Sequence, residues 1–345
     1  MKSVAVLLTN SFKTSYGGIG PFVKNLDTDL AKYYDLTYFS LPDSFERVTW
    51  MPHRLAYIFY LFLQLPRLRK YDLIVSHTPE GSYVVSLFGL PFAHVYHGNG
   101  NPVSKSRFWY GKYFTSAFDH IQKRIKKYSL ISYTVGETMS GAKKLVNPIA
   151  HQVKEKDYLS RSGFIFAGRL ENGKRIDEII RIYSKLPIQI RESNSLYIAG
   201  KGSLRESFER LAIALGIAHQ VIFLGNLDNH DLIEVISKKK IMLMASENEG
   251  FPMSIAEALS VGVPIVSTAV GDIPSFIVSQ HNGELVEKNL NVEEYLFAIK
   301  RILDFYPSYA EGALESSKVF DSKKISESLV YDLNELMLQN KFAPV

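Results

Sequence analysis

The 345-residue sequence contains no cysteine, which excludes disulfides and thiolate metal sites and fits a reducing compartment. No stretch approaches the ~20 consecutive apolar residues of a membrane-spanning helix. The opening residues, MKSVAVLLTN, hold only a short apolar run before Thr9, Asn10 and Ser11. A secretory signal needs a longer run followed by a small-residue cleavage site. These absences predict a cytoplasmic protein, at most peripheral on the inner face of the cell membrane. Low-complexity tracts are missing too, and 46% hydrophobic with 22% charged residues describe an ordinary globular chain. The nine histidines show no metal-ligand spacing, and the basic half of the chain carries no nucleic-acid recognition motif.

What is present is alternation. The length exceeds what one hydrophobic core usually supports, so two domains are expected. In the first half SVAVLL, LTYFSL, DLIVSH (72–77), FAHVYHG (92–98) and SLISYTVG (129–136) read as strands. A glycine loop leads into a helix along GGIGPFVKNLDTDLAKYY, where Phe22, Val23, Leu26 and Leu30 share a face. The hydrophilic stretch 151–163 is the candidate linker. A second set of strands follows: GFIFAGRL, SLYIAGKG, QVIFLGN, KIMLMAS and VPIVSTAVG. Between them DEIIRIYSKL, LRESFERLAIALG, HDLIEVISK and MSIAEALSVG read as helices. Strands alternating with helices predict an α/β chain of two Rossmann-like parallel-sheet domains, residues 1–155 and 156–320, facing across a cleft. The segment 321–345 reads as an amphipathic helix, with Ile325, Leu329, Leu333 and Leu336 on one side, packing back towards the first domain.

Charge divides unevenly. Residues 1–155 hold 19 Lys and Arg against 10 Asp and Glu, while the remainder holds 21 against 25. A basic first half suggests something anionic to face. The run 52–70, PHRLAYIFYLFLQLPRLRK, is apolar over most of a helix circumference through Ile58, Phe59, Leu61, Phe62 and Leu65. Arg54, Arg67, Arg69 and Lys70 edge it. Two readings are open: a core helix, or an interfacial element whose basic flank meets anionic lipid, extended by Lys123, Arg124, Lys126 and Lys127.

Chemistry gathers in two segments of the second half. In FAGRLENGKRIDE (166–178), Arg169 and Lys174 lie between a strand and a helix. A planar guanidinium and a compact ammonium together suit a diphosphate, whose charge grows as the sugar–phosphate bond breaks. In SENEGFPMSIAEALSVGVPIVSTAVGDIP (246–274), Glu249 precedes a helix entered at Pro252, with Met253 and Ser254 in its first turn. Amides at a helix start favour phosphate, and Gly250 admits a ligand close to the backbone. Glu257, eight residues on, can accept both hydroxyls of a ribose diol. The bland alternative leaves both glutamates as solvated helix-flanking residues. Asp27-Thr28-Asp29 resembles a metal-binding Asp-x-Asp but falls within a predicted helix, and is read as a solvated helix face.

In order along the chain stand Gly17-Gly18-Ile19-Gly20, His97-Gly98, Gly168-Arg169-Leu170 with Lys174, Ala199-Gly200-Lys201-Gly202, Phe223-Leu224-Gly225, and Glu249 to Leu259. The series resembles the GT4 family of retaining glycosyltransferases with the GT-B fold, over about residues 4–285. The resemblance implies transfer from a nucleotide-diphosphate sugar to a saccharide or polyprenyl-linked acceptor, without metal or cofactor. Arg169 and Lys174 would grip the diphosphate and Glu257 the ribose. Glu249 with the backbone of Gly250, Phe251 and Pro252 would meet the donor sugar, with His97 across the cleft beside the reacting sugar. Gly17 and Gly18 would let the first loop approach the phosphates or acceptor, and Gly200 and Leu224 would shape the base pocket. Asp272 and Ser275 depart from the family's usual residues. Rival readings are a nucleotide-sugar epimerase of the same two-domain shape and a non-catalytic transferase-like subunit.

Overall fold

The computed structural model describes residues 1–10, 19–42, 53–97, 111–135, 139–149, 158, 160–250 and 252–341. The chain forms two units, Met1–Ala150 with Ser322–Val345, and His151–Asp321.

The first unit is built on a parallel sheet in the order β2-β1-β3-β4-β5-β6. Its strands are β1 (Lys2–Leu7), β2 (Tyr34–Phe39), β3 (Leu73–Ser76), β4 (Phe92–Tyr96), β5 (Ile131–Val135) and β6 (Lys143–Leu145). Both neighbours of β1 are parallel, Val4 standing opposite Leu36 on one side and Leu73 on the other. A strand covered on both faces needs an unbroken apolar run, which VAVL supplies. Helix α1 (Ile19–Leu30) and the C-terminal helix Ser322–Lys341 cover one face of the sheet. On the other face lie α2 (His53–Leu68), α3 (Pro79–Leu87) and α4 (Gly111–Tyr128). Helix α3 starts where the Thr78 side chain accepts from the Gly81 amide and Pro79 fills a first-turn position that needs no donor.

The C-terminal helix is integral to this unit. Ile325, Leu329, Val330, Leu333 and Met337 are buried among Val4, Phe22 and Tyr133. Asp332 accepts from the Tyr133 hydroxyl at 3.0 Å and pairs with Lys143 at 2.6 Å. Leu336 is only partly buried, and Met337 fills the place expected for it.

The second unit is a parallel sheet in the order β12-β11-β10-β7-β8-β9. The strands are β7 (Phe164–Ala167), β8 (Leu196–Ala199), β9 (Val221–Gly225), β10 (Ile241–Met244), β11 (Ile265–Thr268) and β12 (Gly283–Val286). Its helices are α5 (Ile176–Lys185), α6 (Ile188–Ser193), α7 (Arg205–Ala214), α8 (Asn229–Ser237), α9 (Met253–Ser260), α10 (Val292–Asp304) and α11 (Tyr306–Ser317). Ile179, Ile180 and Tyr183 of α5 and Ile299 and Ile302 of α10 are fully buried against the sheet.

Three departures from the sequence reading have physical causes. Strands β6 and β12 were not expected, because KKL and GELV are too short and polar to signal one. Asp27 and Asp29 do lie in α1, yet they are not simply solvated. The Tyr38 hydroxyl donates to Asp27, while Lys32 and the Ser322 hydroxyl donate to Asp29. Pro252 is the residue before α9, in extended conformation, and the helix proper begins at Met253.

Candidate active site

In a parallel sheet the loops after the strands all leave from one edge, and here those of the second unit are stitched together by main-chain bonds. The Gly168 amide donates to Ala199 O at 3.0 Å, Leu170 N to Lys201 O at 3.0 Å and Gly200 N to Gly225 O at 2.7 Å. Gly200 is fixed by this packing. Its φ is +140°, and a Cβ there would lie 1.8 Å from Gly168 O. Glu247 N reaches back to Gly173 O at 3.0 Å, tying the β10 loop to the β7 loop.

That tie brings together two of the expected residues. Lys174 forms an ion pair with Glu249, whose Oε1 also accepts from the Ser246 hydroxyl at 2.7 Å. The side chains are 19% and 9% exposed, so Glu249 is not a solvated flank. Gly250 beside it is exposed, and no side chain caps the start of α9 among the described residues. The turn carrying Lys174 is held by Arg175. This residue adopts a left-handed φ of 49° while its guanidinium reaches Glu247 at 3.1 Å and Lys288 O at 2.9 Å.

Arg169 does not join the pair. It stands 74% exposed with its guanidinium on Glu171 at 3.2 Å. The loops bearing Arg169 and Glu249 nevertheless follow β7 and β10, which are adjacent and parallel. Glu257 is also apart, fully inside α9, where it accepts from Asn229 Nδ2 at 2.7 Å. Burial pushes its carboxyl up to about 7, against the opposing effect of the Asn229 hydrogen bond. Pro252 and Met253 are half-buried, Ser254 is buried, and Leu224 is half-buried in β9.

His97 lies in the first unit, directly after β4. Its Nε2 lies 2.8 Å from His77 Nδ1, and the edge-on ring of Phe22 packs against both. Burial lowers His77 to about 3 and holds His97 well below the usual imidazole value, so both are neutral at physiological pH. His94 is a buried structural residue bonded to the Ser82 hydroxyl at 2.7 Å. Gly17, Gly18, Phe251 and the Gly98–Gly100 loop lie outside the described residues.

Sequence reasoning missed Ser246, Asn229, Arg175 and His77. Ser246 opens the very motif that was read, and its hydroxyl was a signal available there. The other three act across folded neighbours.

Two parallel-sheet units, the second with a cation–carboxylate pair at its strand ends, define a chain of the GT-B architecture. Residues 150–311 match the model of the family described as Glycosyl transferases group 1. An uncharacterized glycosyltransferase of Methanocaldococcus jannaschii is 32% identical over 139 residues, 40% of this chain and 35% of the relative. The O-antigen biosynthesis glycosyltransferase WbnH of Escherichia coli is 31% identical over 163 residues, 45% of this chain and 42% of the relative. The chain therefore spans less than half the length of these two relatives. Among solved structures, Anabaena HepE in complex with UDP superposes with a TM-score of 0.73 at 14% identity, covering 97% of this chain and 100% of that one.

Proposed function

We propose that the protein is a retaining, metal-independent glycosyltransferase. It moves a hexose or N-acetylhexosamine from a nucleotide-diphosphate sugar to a saccharide or polyprenyl-linked acceptor, building surface polysaccharide or lipopolysaccharide. The observation that carries this reading is the Lys174–Glu249 pair beside exposed Gly250 and the start of α9, which no side chain among the described residues caps. A cation, a carboxylate and free helix amides are what a sugar diphosphate asks for at neighbouring points. The UDP bound to HepE supports a nucleoside diphosphate, and the O-antigen relative supports a surface glycan.

In this reading the bond from the anomeric carbon to the phosphate oxygen breaks while the acceptor oxygen bonds to the same face. The acceptor proton passes to the departing phosphate. Lys174 leaves Glu249 for the diphosphate, and Arg169 follows, since its exposed pair with Glu171 costs little to break. Both cations and the α9 amides meet charge that exists fully only after bond cleavage, so they favour the transition state over the bound donor. Glu249 retains the Ser246 hydroxyl and turns to a sugar hydroxyl. Glu257 takes the ribose, and neutral His97 is assigned to the reacting sugar.

The test is nucleoside-diphosphate release and product formation with uridine, guanosine and adenosine diphosphate sugars, each with and without a strong chelator. One base should support turnover, with the donor's anomeric configuration retained in the product. Absence of turnover with every donor would overturn the transferase reading. Loss to the chelator, restored by Mg²⁺ or Mn²⁺, would overturn its metal-free part.

A further inference from the structure

The solvent side of α2 is apolar. Leu55, Phe59, Phe62 and Leu63 form one stripe along the helix, Phe59 being 57% and Leu63 62% exposed. The opposite side, with Ala56, Tyr57, Leu61 and Leu68, is packed in the core. An ordinary surface helix shows polar residues outward, so α2 has a second apolar face that folding leaves uncovered. The patch does not stop at the helix. Phe62 meets Phe88 edge-on at 5.8 Å, and Leu87 and Phe88, at the end of α3, are exposed as well. Large apolar side chains gathered in this way mark an interaction surface, where scattered ones would not.

Charge says what kind. The sequence holds no acidic residue between Glu46 and Asp72. Arg54 is matched by Glu80 at 2.8 Å, which leaves Arg69 and Lys70 exposed just beyond α2. On the far side of the patch, Arg124 of α4 donates to Ser86 Oγ at 2.8 Å and to Ser86 O at 2.9 Å. Those bonds fix the end of α4 beside Leu87 and Phe88, and bring exposed Lys123, Lys126 and Lys127 to the same border. The apolar stripe matches an acyl boundary and the lysines beside it match headgroup phosphates. Anionic lipid satisfies both.

We infer that the face formed by α2, the end of α3 and the end of α4 docks on an anionic phospholipid surface. Phe59, Phe62 and Leu63 enter the acyl boundary while the lysines lie among headgroup phosphates. The inference deepens the proposed function, because a polyprenyl-linked acceptor is met at a bilayer, but docking needs no turnover and is measured without it.

The test is co-sedimentation of the full chain with vesicles of phosphatidylcholine alone and of phosphatidylcholine with phosphatidylglycerol. The wild type should bind only the anionic vesicles, and less tightly as salt rises. Changing Lys123, Lys126 and Lys127 together to Gln should weaken binding about a hundred-fold, at roughly five-fold per charge. Phe59→Ser with Leu63→Ser should abolish binding while the thermal midpoint stays at the wild-type value, since both side chains are already in water. Failure of the wild type to bind anionic vesicles overturns the inference. So does binding that neither set of substitutions alters. A concentration-dependent dimer in sedimentation velocity that F59S/L63S abolishes, without vesicle binding, would assign the face to a second copy instead.

Discussion

Glu257 offers the sharpest test of how the second unit is built. The carboxyl is fully buried in α9, its hydrogen-bond partner among the described residues is the Asn229 amide, and burial pushes it up to about 7 from an ordinary 4.5. A carboxyl held high in the fold favours the protonated form there, so the native state keeps a proton that the unfolded chain gives up. Stability from this source is fully present below about pH 4.5 and is lost as pH rises to about 7. The gap between those two values corresponds to about 3 kcal/mol. Glu257→Gln keeps an oxygen to accept from Asn229 but cannot ionise. Urea unfolding followed by far-ultraviolet circular dichroism, at steps from pH 4 to pH 8, should therefore show the two proteins equally pH-dependent at the acid end. Above it the wild type should fall away from E257Q by about 3 kcal/mol in all. Ribose hydroxyls donate to an ionised carboxylate, so donor binding should release a proton near neutral pH in the wild type and none in E257Q. Calorimetry in two buffers of different ionisation enthalpy reads that proton directly. Parallel stability curves for the two proteins would refute the burial argument. Equal proton release would refute the ribose role alone.

Two further outcomes follow from the same loops. Lys174→Met should lower kcat/KM about a hundred- to a thousand-fold, the usual loss of one transition-state donor, with kcat falling more than KM rises in steady-state assays. Gly271→Ala should destabilise the second unit by about 2 kcal/mol or more in urea unfolding. The residue sits at φ +55°, where an added Cβ would lie 1.7 Å from Glu249 O. Wild-type stability in that variant would mean that the β11 loop can retreat from Glu249 without cost.

Much of this was legible because it is local. The apolar runs of β1, β4, β7 and β10 announce buried parallel strands, and Ile325, Leu329 and Leu333 announce the face of the last helix. The motif Ser246–Leu259 carries its own strand end, glycine and helix start, so Glu249 and Glu257 stand out there as candidates, their roles implied by the resemblance. Partners were not. Asn229 reaches Glu257 only because α8 packs on α9, and Arg175 reaches Lys288 across the unit. His77 and His97 are neighbours because β3 and β4 pair in the sheet. Nor does spacing say that Arg169 turns outward to Glu171 while Lys174 turns inward to Glu249, since both lie in one short loop and only packing separates them. The helical run at 52–70 was equally undecidable. Core helix and interfacial element are both open to the sequence, and α2 packs one apolar side in the core while Leu55, Phe59, Phe62 and Leu63 stand exposed on the other.

The return of residues 322–341 to the first sheet sets an order of events during synthesis. The middle of the chain is contiguous, so it can condense as soon as its own residues have emerged from the ribosome. The opening 150 residues must wait, their interior still open over Val4, Phe22 and Tyr133, until Leu329 and Leu333 arrive. The half made first is therefore finished last, and through that interval its uncovered sheet face is where chaperones would be needed.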